Sequence, residues 1–150
     1  MQAQATLTWS IVDGSENVYD GTTWVATSTA LFARLSVTGT TIASGGAIPT
    51  GCGSLFAAST TAVAGDGAYA QWQLDTSAVG TTSCTPSIAA DAFTFADAST
   101  NSETTASGAT AINVGFDVAW SVVYTSTGAA YDDAWMTADT GISVRASLPA

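Results

Sequence analysis

Apolar and polar residues alternate near the start of the chain, a pattern that is typical of a β-strand with one buried face. Residues 3–12 read AQATLTWSIV, and the positions between the apolar ones are Gln, Thr or Ser. The pattern predicts an N-terminal strand over this segment. Its apolar face consists of Ala3, Ala5, Leu7, Trp9 and Ile11.

Further segments alternate in the same way and predict further strands. Trp9, Trp72 and Trp120 lie on apolar faces, and we expect these three side chains in the core. Residues 54–64 are also predicted as a strand, and residues 97–110 as a long surface loop. The alternating segments are 24–37, 68–76, 111–126 and 141–148.

Helical periodicity is nearly absent, and connectors rich in Gly, Ser, Asp and Asn separate the predicted strands. Short strands at this spacing predict an all-β fold with little or no helix. The expected architecture is an antiparallel β-sandwich of the jelly-roll or immunoglobulin-like type. Because the chain has 150 residues, the simplest organisation is a single domain over residues 1–150.

Two alternatives stay open for the N-terminal strand, residues 1–12. This strand precedes all the others, and no charged side chain falls between Met1 and Asp13. It can pair within the sheet of its own subunit. It can also be exchanged with a neighbouring subunit, by addition to the open edge of that subunit's sheet.

The balance of charge excludes several classes of function. Twelve acidic residues stand against two arginines, with no lysine and no histidine, and the net charge is −10. Because binding to nucleic acid phosphates and to anionic lipids depends on Lys and Arg, no nucleic acid is expected as a partner. No apolar run approaches the roughly 18 residues of a membrane span, so we expect no membrane insertion.

The surface is expected to be unusually neutral. Only 9% of the residues are charged, and Ala, Gly, Ser and Thr together make up 85 of the 150. An ordinary soluble domain has about 25% charged residues. Small neutral side chains pack closely between subunits, which is typical of fibres, virion shells and secreted surface proteins. A biased base composition of the genome is the alternative explanation.

The cysteine count predicts a disulfide. Cys52 and Cys84 both lie in turn-like sequences, and an even count in a lysine-poor chain indicates an oxidising environment. Two free, partly buried thiols are the alternative. Zinc is not expected, because two cysteines without histidine provide too few ligands.

The sequence argues against an enzyme. Without histidine there is no Ser–His–Asp or Cys–His arrangement, and without lysine there is no Schiff-base or Ser–Lys chemistry. Only carboxylate chemistry remains, with Asp75, Asp117 and the pair Asp132–Asp133 as candidates. Because these acids are also ordinary solvated residues, we expect no catalytic residues and no cofactor.

Calcium is the one ion that the acidic residues could hold. The loop DGSENVYDG offers oxygen ligands at Asp13, Ser15, Asn17 and Asp20, although it lacks the glycine and glutamate of an EF-hand. Acidic turn residues that bond their own backbone are the alternative. A second candidate cluster consists of Asp132, Asp133 and Asp139.

Aromatic side chains in turns indicate a binding surface. Tyr19, Trp24, Tyr131 and Trp135 lie in or beside turns that carry acids. Such rings stack on sugars in carbohydrate-binding proteins and serve as anchors in protein interfaces. Together with the strand face of Leu7, Trp9 and Ile11, they are the candidate interface residues.

The segment VYDGTTWVATS, residues 18–28, resembles short segments that recur in phage tail-fibre and capsid-decoration proteins. The overall make-up also resembles pilins and archaeal extracellular filament subunits, which are Thr/Ala/Gly-rich β-sandwiches with two cysteines. The late position of Cys52 and the SLPA ending depart from chaperone–usher pilins, and the apolar N-terminal helix of type IV pilins is missing.

The resemblance and the unguarded strands predict a non-enzymatic structural subunit. Monomeric β-proteins protect sheet edges with charges, above all lysine, and these strands carry almost none. We expect self-assembly, with copies of the chain and other structural proteins as partners, in a virion or an extracellular filament. The alternative is a secreted carbohydrate-binding module, with calcium as a candidate cofactor.

Overall fold

A computed structural model describes residues 5–56, 62–116, 119–132 and 141–147 of the protein. Over these residues the fold is all-β, as predicted, with short 3-10 helices at Gly53–Phe56 and Gly65–Gly67. The strands are β1 Thr6–Asp13, β2 Val25–Ala26, β3 Leu31–Thr38, β4 Ile42–Gly45, β5 Ala62–Ala64, β6 Tyr69–Leu74, β7 Gly80–Cys84, β8 Ser87–Ile88, β9 Phe93–Phe95, β10 Thr104–Thr105, β11 Thr110–Gly115, β12 Ala119–Tyr124 and β13 Ile142–Ser147.

The chain divides into two compact units, Met1–Gly115 and Phe116–Ala150. The first unit contains β1 to β11, and the second contains the antiparallel pair of β12 and β13. Each unit is described by itself below. The single-domain organisation stays a prediction.

A four-stranded antiparallel sheet in the order β1-β3-β6-β5 dominates the first unit. β1 and β3 pair without a bulge from Thr6 opposite Thr38 to Asp13 opposite Leu31. Alternation sets this register, because the apolar side chains of both strands then fall on the same face. In this chain β1 therefore pairs within its own sheet, and its exchange between copies stays a prediction.

Smaller sheets complete the first unit, in the orders β2-β11-β7, β4-β9 and β10-β8. The pairing of β2 with β11 is parallel, which departs from the expected antiparallel pattern. Buried residues of these sheets and of the main sheet form one hydrophobic core. The rings of Trp9, Trp72 and Phe93 cross this core in a row, with centroids 5.6 and 6.2 Å apart. The jelly-roll or immunoglobulin-like sandwich topology stays a prediction.

The structure corrects several of the predicted segments. The segment 24–37 divides into β2 and β3, and residues 27–30 between them belong to no strand. Residues 53–56 form a 3-10 helix and only Ala62–Ala64 form a strand, while the rest of the predicted strand 54–64 lies outside the described residues. The loop predicted at 97–110 contains β10 and the buried Asn101. Asn101 accepts a bond from Phe93 N–H and donates to the Ala89 carbonyl, so it fixes this connection to the core.

The predicted long strand 111–126 is wrong, because β11 ends at Gly115 and β12 belongs to the second unit. Ile112 is buried as expected, but Trp120 is 71% exposed. The expectation that Trp120 lies in the core is therefore wrong. The alternation of apolar and polar residues continues from β11 into β12. It therefore does not show that these two strands belong to different sheets.

The predicted disulfide between Cys52 and Cys84 is present, and both residues are fully buried. Backbone bonds beside it join Thr50 to Ser87 and Thr85 N–H to the Gly51 carbonyl. The disulfide therefore fixes two extended segments that also pair directly.

Replacing both cysteines, C52A with C84A, should lower the free energy of unfolding by about 3–4 kcal/mol, because the cross-link closes a loop in the unfolded chain. Urea unfolding with and without reductant measures this. Reductant should destabilise the natural protein by a similar amount and leave the variant unchanged. Equal stability of the variant and the natural protein in the absence of reductant would contradict the prediction.

Gly51 holds a backbone conformation that only glycine fits. Its φ is +89°, and an added Cβ would collide with the carbonyl oxygen of Thr85. We expect G51A to cost more than about 3 kcal/mol of stability. G53A is the matched control, because Gly53 also has a positive φ, +58°, but faces open space. Its cost should be about 1 kcal/mol, and similar melting temperatures for the two variants would refute the steric explanation.

Candidate functional site

The outer edge of β1 is the candidate site, and its geometry follows from the sheet. Val37 N–H donates to the Ala68 carbonyl on the β6 side of β3, so Val37 does not bond to Leu7, which lies opposite it on β1. Backbone groups alternate sides along an antiparallel strand. The N–H and C=O groups of Leu7, Trp9 and Ile11 therefore face away from β3.

Part of this outward edge is filled by the turn that follows β1. Tyr19 N–H donates to the Ile11 carbonyl at 2.8 Å, and Asp13 N–H donates to the Asn17 carbonyl at 2.9 Å. Across the described residues, no group bonds to the outward backbone of Leu7 and Trp9 or to Ile11 N–H. As far as the described residues show, the edge is thus open over the first half of β1.

A cleft of about 250 Å³ lies beside this open edge, and we call it the β1 cleft. Trp9 and Thr104 both line the cleft, and the Trp9 indole N–H donates to the Thr104 carbonyl at 3.1 Å. None of the residues that line it is charged. The lining consists of Leu7, Thr8, Trp9, Ser10, Ile11, Pro86, Thr104–Gly108 and Thr110.

The β1 cleft combines a strand edge with uncharged side chains. It offers backbone donors and acceptors along one wall and apolar or hydroxyl side chains along the others. Leu7, Trp9 and Ile11, predicted from the sequence as interface residues, turn their side chains toward the core and their backbone toward the cleft. The sequence did not indicate the opposite wall, residues 104–108, because it was predicted as a plain loop.

The second unit has an open edge of its own. Tyr131 N–H donates to the Val122 carbonyl and Tyr124 N–H to the Ala129 carbonyl, so these residues of β12 face away from β13. By the register of the pair, Val122 opposite Val144 and Tyr124 opposite Ile142, the backbone of Ile142, Val144 and Ala146 faces outward on β13. No partner for these groups occurs in the described part of the chain.

One face of this hairpin is apolar and exposed. Trp120, Val122, Ile142 and Val144 share it, and their exposed fractions are 71, 41, 47 and 69%. Val123, on the opposite face, is buried. We call the exposed set the hairpin face. Contiguous exposed apolar side chains mark an interaction surface or an aggregation hazard.

The acidic loop after β1 is held by its own hydrogen bonds. Asp13 accepts bonds from the backbone N–H of Ser15 and Asn17 and from the Asn17 amide. The Asn17 side-chain amide and then its backbone N–H hold the pKa of Asp13 below its usual value. Glu16, in the same loop, pairs with Arg34 of β3 at 3.1 Å.

Asp20 is bonded in the same manner. Its carboxylate accepts bonds from the N–H groups of Thr23 and Thr22, at 3.0 and 2.8 Å. The Thr23 N–H, followed by that of Thr22, lowers the pKa of Asp20 to about 2. Both acids therefore act as turn-forming residues that accept bonds from nearby backbone groups.

The predicted calcium ligands are only partly brought together. Asp13, Ser15 and Asn17 share one turn, while Asp20 belongs to the next. Within the described ranges, no group of three or more His, Cys, Asp or Glu residues could hold a metal ion. Asp132 accepts a bond from the Tyr124 hydroxyl, and Asp133 and Asp139 lie outside the described residues. Calcium binding stays a prediction.

The candidate aromatic residues differ in their immediate surroundings. Trp24 is 61% exposed, whereas the Tyr19 hydroxyl donates to the Thr23 carbonyl and accepts from Asn113 N–H. Tyr131 packs edge-on against Tyr124, with centroids 5.6 Å apart. Trp135, like the candidate acid Asp117, lies outside the described residues. The carbohydrate-binding alternative stays a prediction.

Comparisons with protein families, with curated proteins and with solved structures give no match to this chain. The resemblance to phage and filament proteins thus rests on the sequence alone. Among the described residues there is no helix long and apolar enough to cross a membrane. The buried disulfide fits an oxidising, extracellular environment.

The bonds to Asp20 predict a dependence of stability on acid. Because its folded pKa is lowered to about 2, its contribution is complete above the ordinary pKa near 3.8 and disappears as the pH falls toward 2. The D20N variant should lose this part of the pH dependence. Carboxyl-carbon NMR should show Asp20 titrating near 2, and a midpoint near 3.8 would contradict the bonding described.

Proposed function

We propose that the protein is a non-enzymatic structural subunit that assembles with copies of itself, as part of a virion or an extracellular filament. The observation that carries this proposal is the open, uncharged edge of β1 beside the β1 cleft. Other structural proteins of the same assembly are the further expected partners. The sequence resemblance favours a virion protein, as a decoration, tail or shell component.

The physical argument begins with unpaired backbone groups. A strand edge that presents N–H and C=O groups is a template for another strand, and monomeric proteins cover or charge such edges. Between Thr6 and Val12, β1 carries no charge and no proline. Each backbone bond formed there would contribute about 0.5–1.5 kcal/mol net, and burial of the cleft side chains would add to it.

The acids of the described residues support a structural role in a different way. Asp13, Asp20, Asp75 and Asp97 each accept bonds from N–H groups of their own turns. Such bonds keep these carboxylates ionised and occupied. Their arrangement favours shaping of loops over acid–base chemistry.

Self-assembly is tested with the full chain and one edge variant. The natural protein should form large species by sedimentation velocity and particles or fibres by negative-stain microscopy. L7P removes an outward N–H that has no partner among the described residues, so it should leave the sheet intact and weaken assembly at least tenfold. L7A, which keeps the N–H, is the matched control for the lost side chain.

The outcomes separate clearly. Assembly of the natural protein and of L7A but not of L7P supports the proposal, provided that circular dichroism shows all three folded. A natural protein that stays monomeric at the highest concentration reached would overturn the proposed function. Quenching of tryptophan fluorescence by a sugar in such a monomer would favour the carbohydrate-binding alternative.

A further inference from the structure

We propose that the partner for the open edge of β1 is β13 of a second copy, added antiparallel with Trp9 opposite Val144. This inference rests on the proposed function and names the contact that would perform it. It joins the two open edges described above, one on each unit of the chain. The occupant of the β1 cleft is thus the hairpin face of a neighbouring copy.

The first argument is the match between backbone and side-chain alternation. On both strands, the residues whose backbone faces outward are the ones with apolar side chains: Leu7, Trp9 and Ile11 on β1, and Ile142, Val144 and Ala146 on β13. Directly paired residues place their side chains on the same face of a sheet. Pairing the two edges therefore sends the exposed apolar side chains of β13 to the core side, where the β1 cleft lies.

The hydrogen bonds of this pairing are defined by the register. Trp9 N–H would donate to the Val144 carbonyl, and Val144 N–H to the Trp9 carbonyl. Leu7 and Ala146 would exchange the same two bonds. Ile11 N–H would donate to the Ile142 carbonyl, while the Ile11 carbonyl keeps its bond from Tyr19. Every group that β1 leaves open among the described residues would gain a partner.

Charge favours β13 over a second β1 as the occupant. The first unit carries eight acidic residues against one arginine, and that arginine already pairs with Glu16. Acids flank the open edge, Asp13 at one end and Asp97 in the depression beyond Leu7. The second unit also carries more acids than arginines, four against one, but β13 itself carries Arg145 and no acid. Arg145 is therefore attracted locally to this edge, whereas a second copy of β1 ends in Asp13 and brings no positive charge.

The second unit also needs a neighbour. A hairpin of two strands is marginally stable on its own, and three or more strands with a buried face are required for independent stability. Addition to the four-stranded sheet would give β13 a second neighbour and cover Ile142 and Val144. Because donor and acceptor lie at different places on each copy, the contact is head-to-tail and propagates into an open filament or a ring.

Complementation between two variants tests this pairing. V144P removes the outward N–H of the donor strand, and L7P blocks the acceptor edge. Neither variant should assemble alone. Mixed together they should form a complex of two copies, because L7P still donates an intact β13 and V144P still offers an intact β1. Sedimentation velocity measures the complex, and V144A, which keeps the N–H, is the control for the lost side chain.

Each other result overturns the inference. If V144P assembles like the natural protein, pairing of β1 with a second β1 or with another strand is indicated, and the proposed function still stands. If the two variants do not combine, β13 is not the donor. A natural protein that stays monomeric would overturn the proposed function itself.

A peptide keeps the test decisive should L7P fail to fold. A labelled peptide GISVRAS, residues 141–147, should bind the V144P protein in a fluorescence-anisotropy titration. The same peptide with the V144P change should not bind. Failure of the natural peptide to bind would overturn the inference.

The register has its own test, because the pairing places Thr8 opposite Arg145. T8K would set two positive charges face to face and should weaken assembly about two- to fivefold. Adding R145E to T8K should restore it. S54K makes the same charge change at an exposed position away from β1 and should have no effect. An equal effect of T8K and S54K, or no restoration by R145E, would overturn this register.

Discussion

The backbone of β1 can form hydrogen bonds on two sides. Among the residues that the structure describes, only the side toward β3 has partners along half of the strand. The turn after β1 covers the outward groups from the Ile11 carbonyl onward, through Tyr19 and Asn17. The remaining groups, on Leu7 and Trp9, open into the β1 cleft. An unfilled edge of this kind is unfavourable for an isolated protein and useful for a subunit, and the proposed function follows from that difference.

A fold with so few charges must gain its order from other interactions. The aromatic row of Trp9, Trp72 and Phe93 fills the core, and the Cys52–Cys84 disulfide fixes the segments beside β7 and β8. Buried Asn101 holds a long connection by its amide. These interactions stabilise the first unit without lysine guards on its edges. The open edge of β1 and the residues that line the β1 cleft carry no charge, so no charged side chain there opposes the approach of a second copy.

The sequence predicted strands well where one face of the strand is buried. It predicted them poorly where a strand depends on its pairing partner. The alternation over β1, β3 and β6 identified all three, because each packs one face on the core. Very short strands such as β8 and β10 are fixed by pairing with each other, and two residues are too few to show alternation in the sequence. Trp120 was misassigned because alternation shows that a face is apolar, and it does not show what covers that face.

The sequence predicted only part of the candidate site. The uncharged N-terminal strand indicated a place of association, and the cysteine count predicted the disulfide. The direction of each backbone group depends on which neighbour pairs on which side, and only the β3 and β6 registers revealed that Leu7 and Trp9 face outward. The opposite wall of the cleft comes from residues 104–108, far away in the sequence.

Hydrogen–deuterium exchange of individual β1 amides tests the central claim most directly. Thr8 and Ser10 bond toward β3, so their amides should exchange slowly both in dilute monomer and in the assembled protein. The amides of Leu7 and Trp9 should exchange rapidly in the monomer and become protected on assembly. Protection of Leu7 and Trp9 in the monomer, or rapid exchange of both in the assembly, would contradict the account.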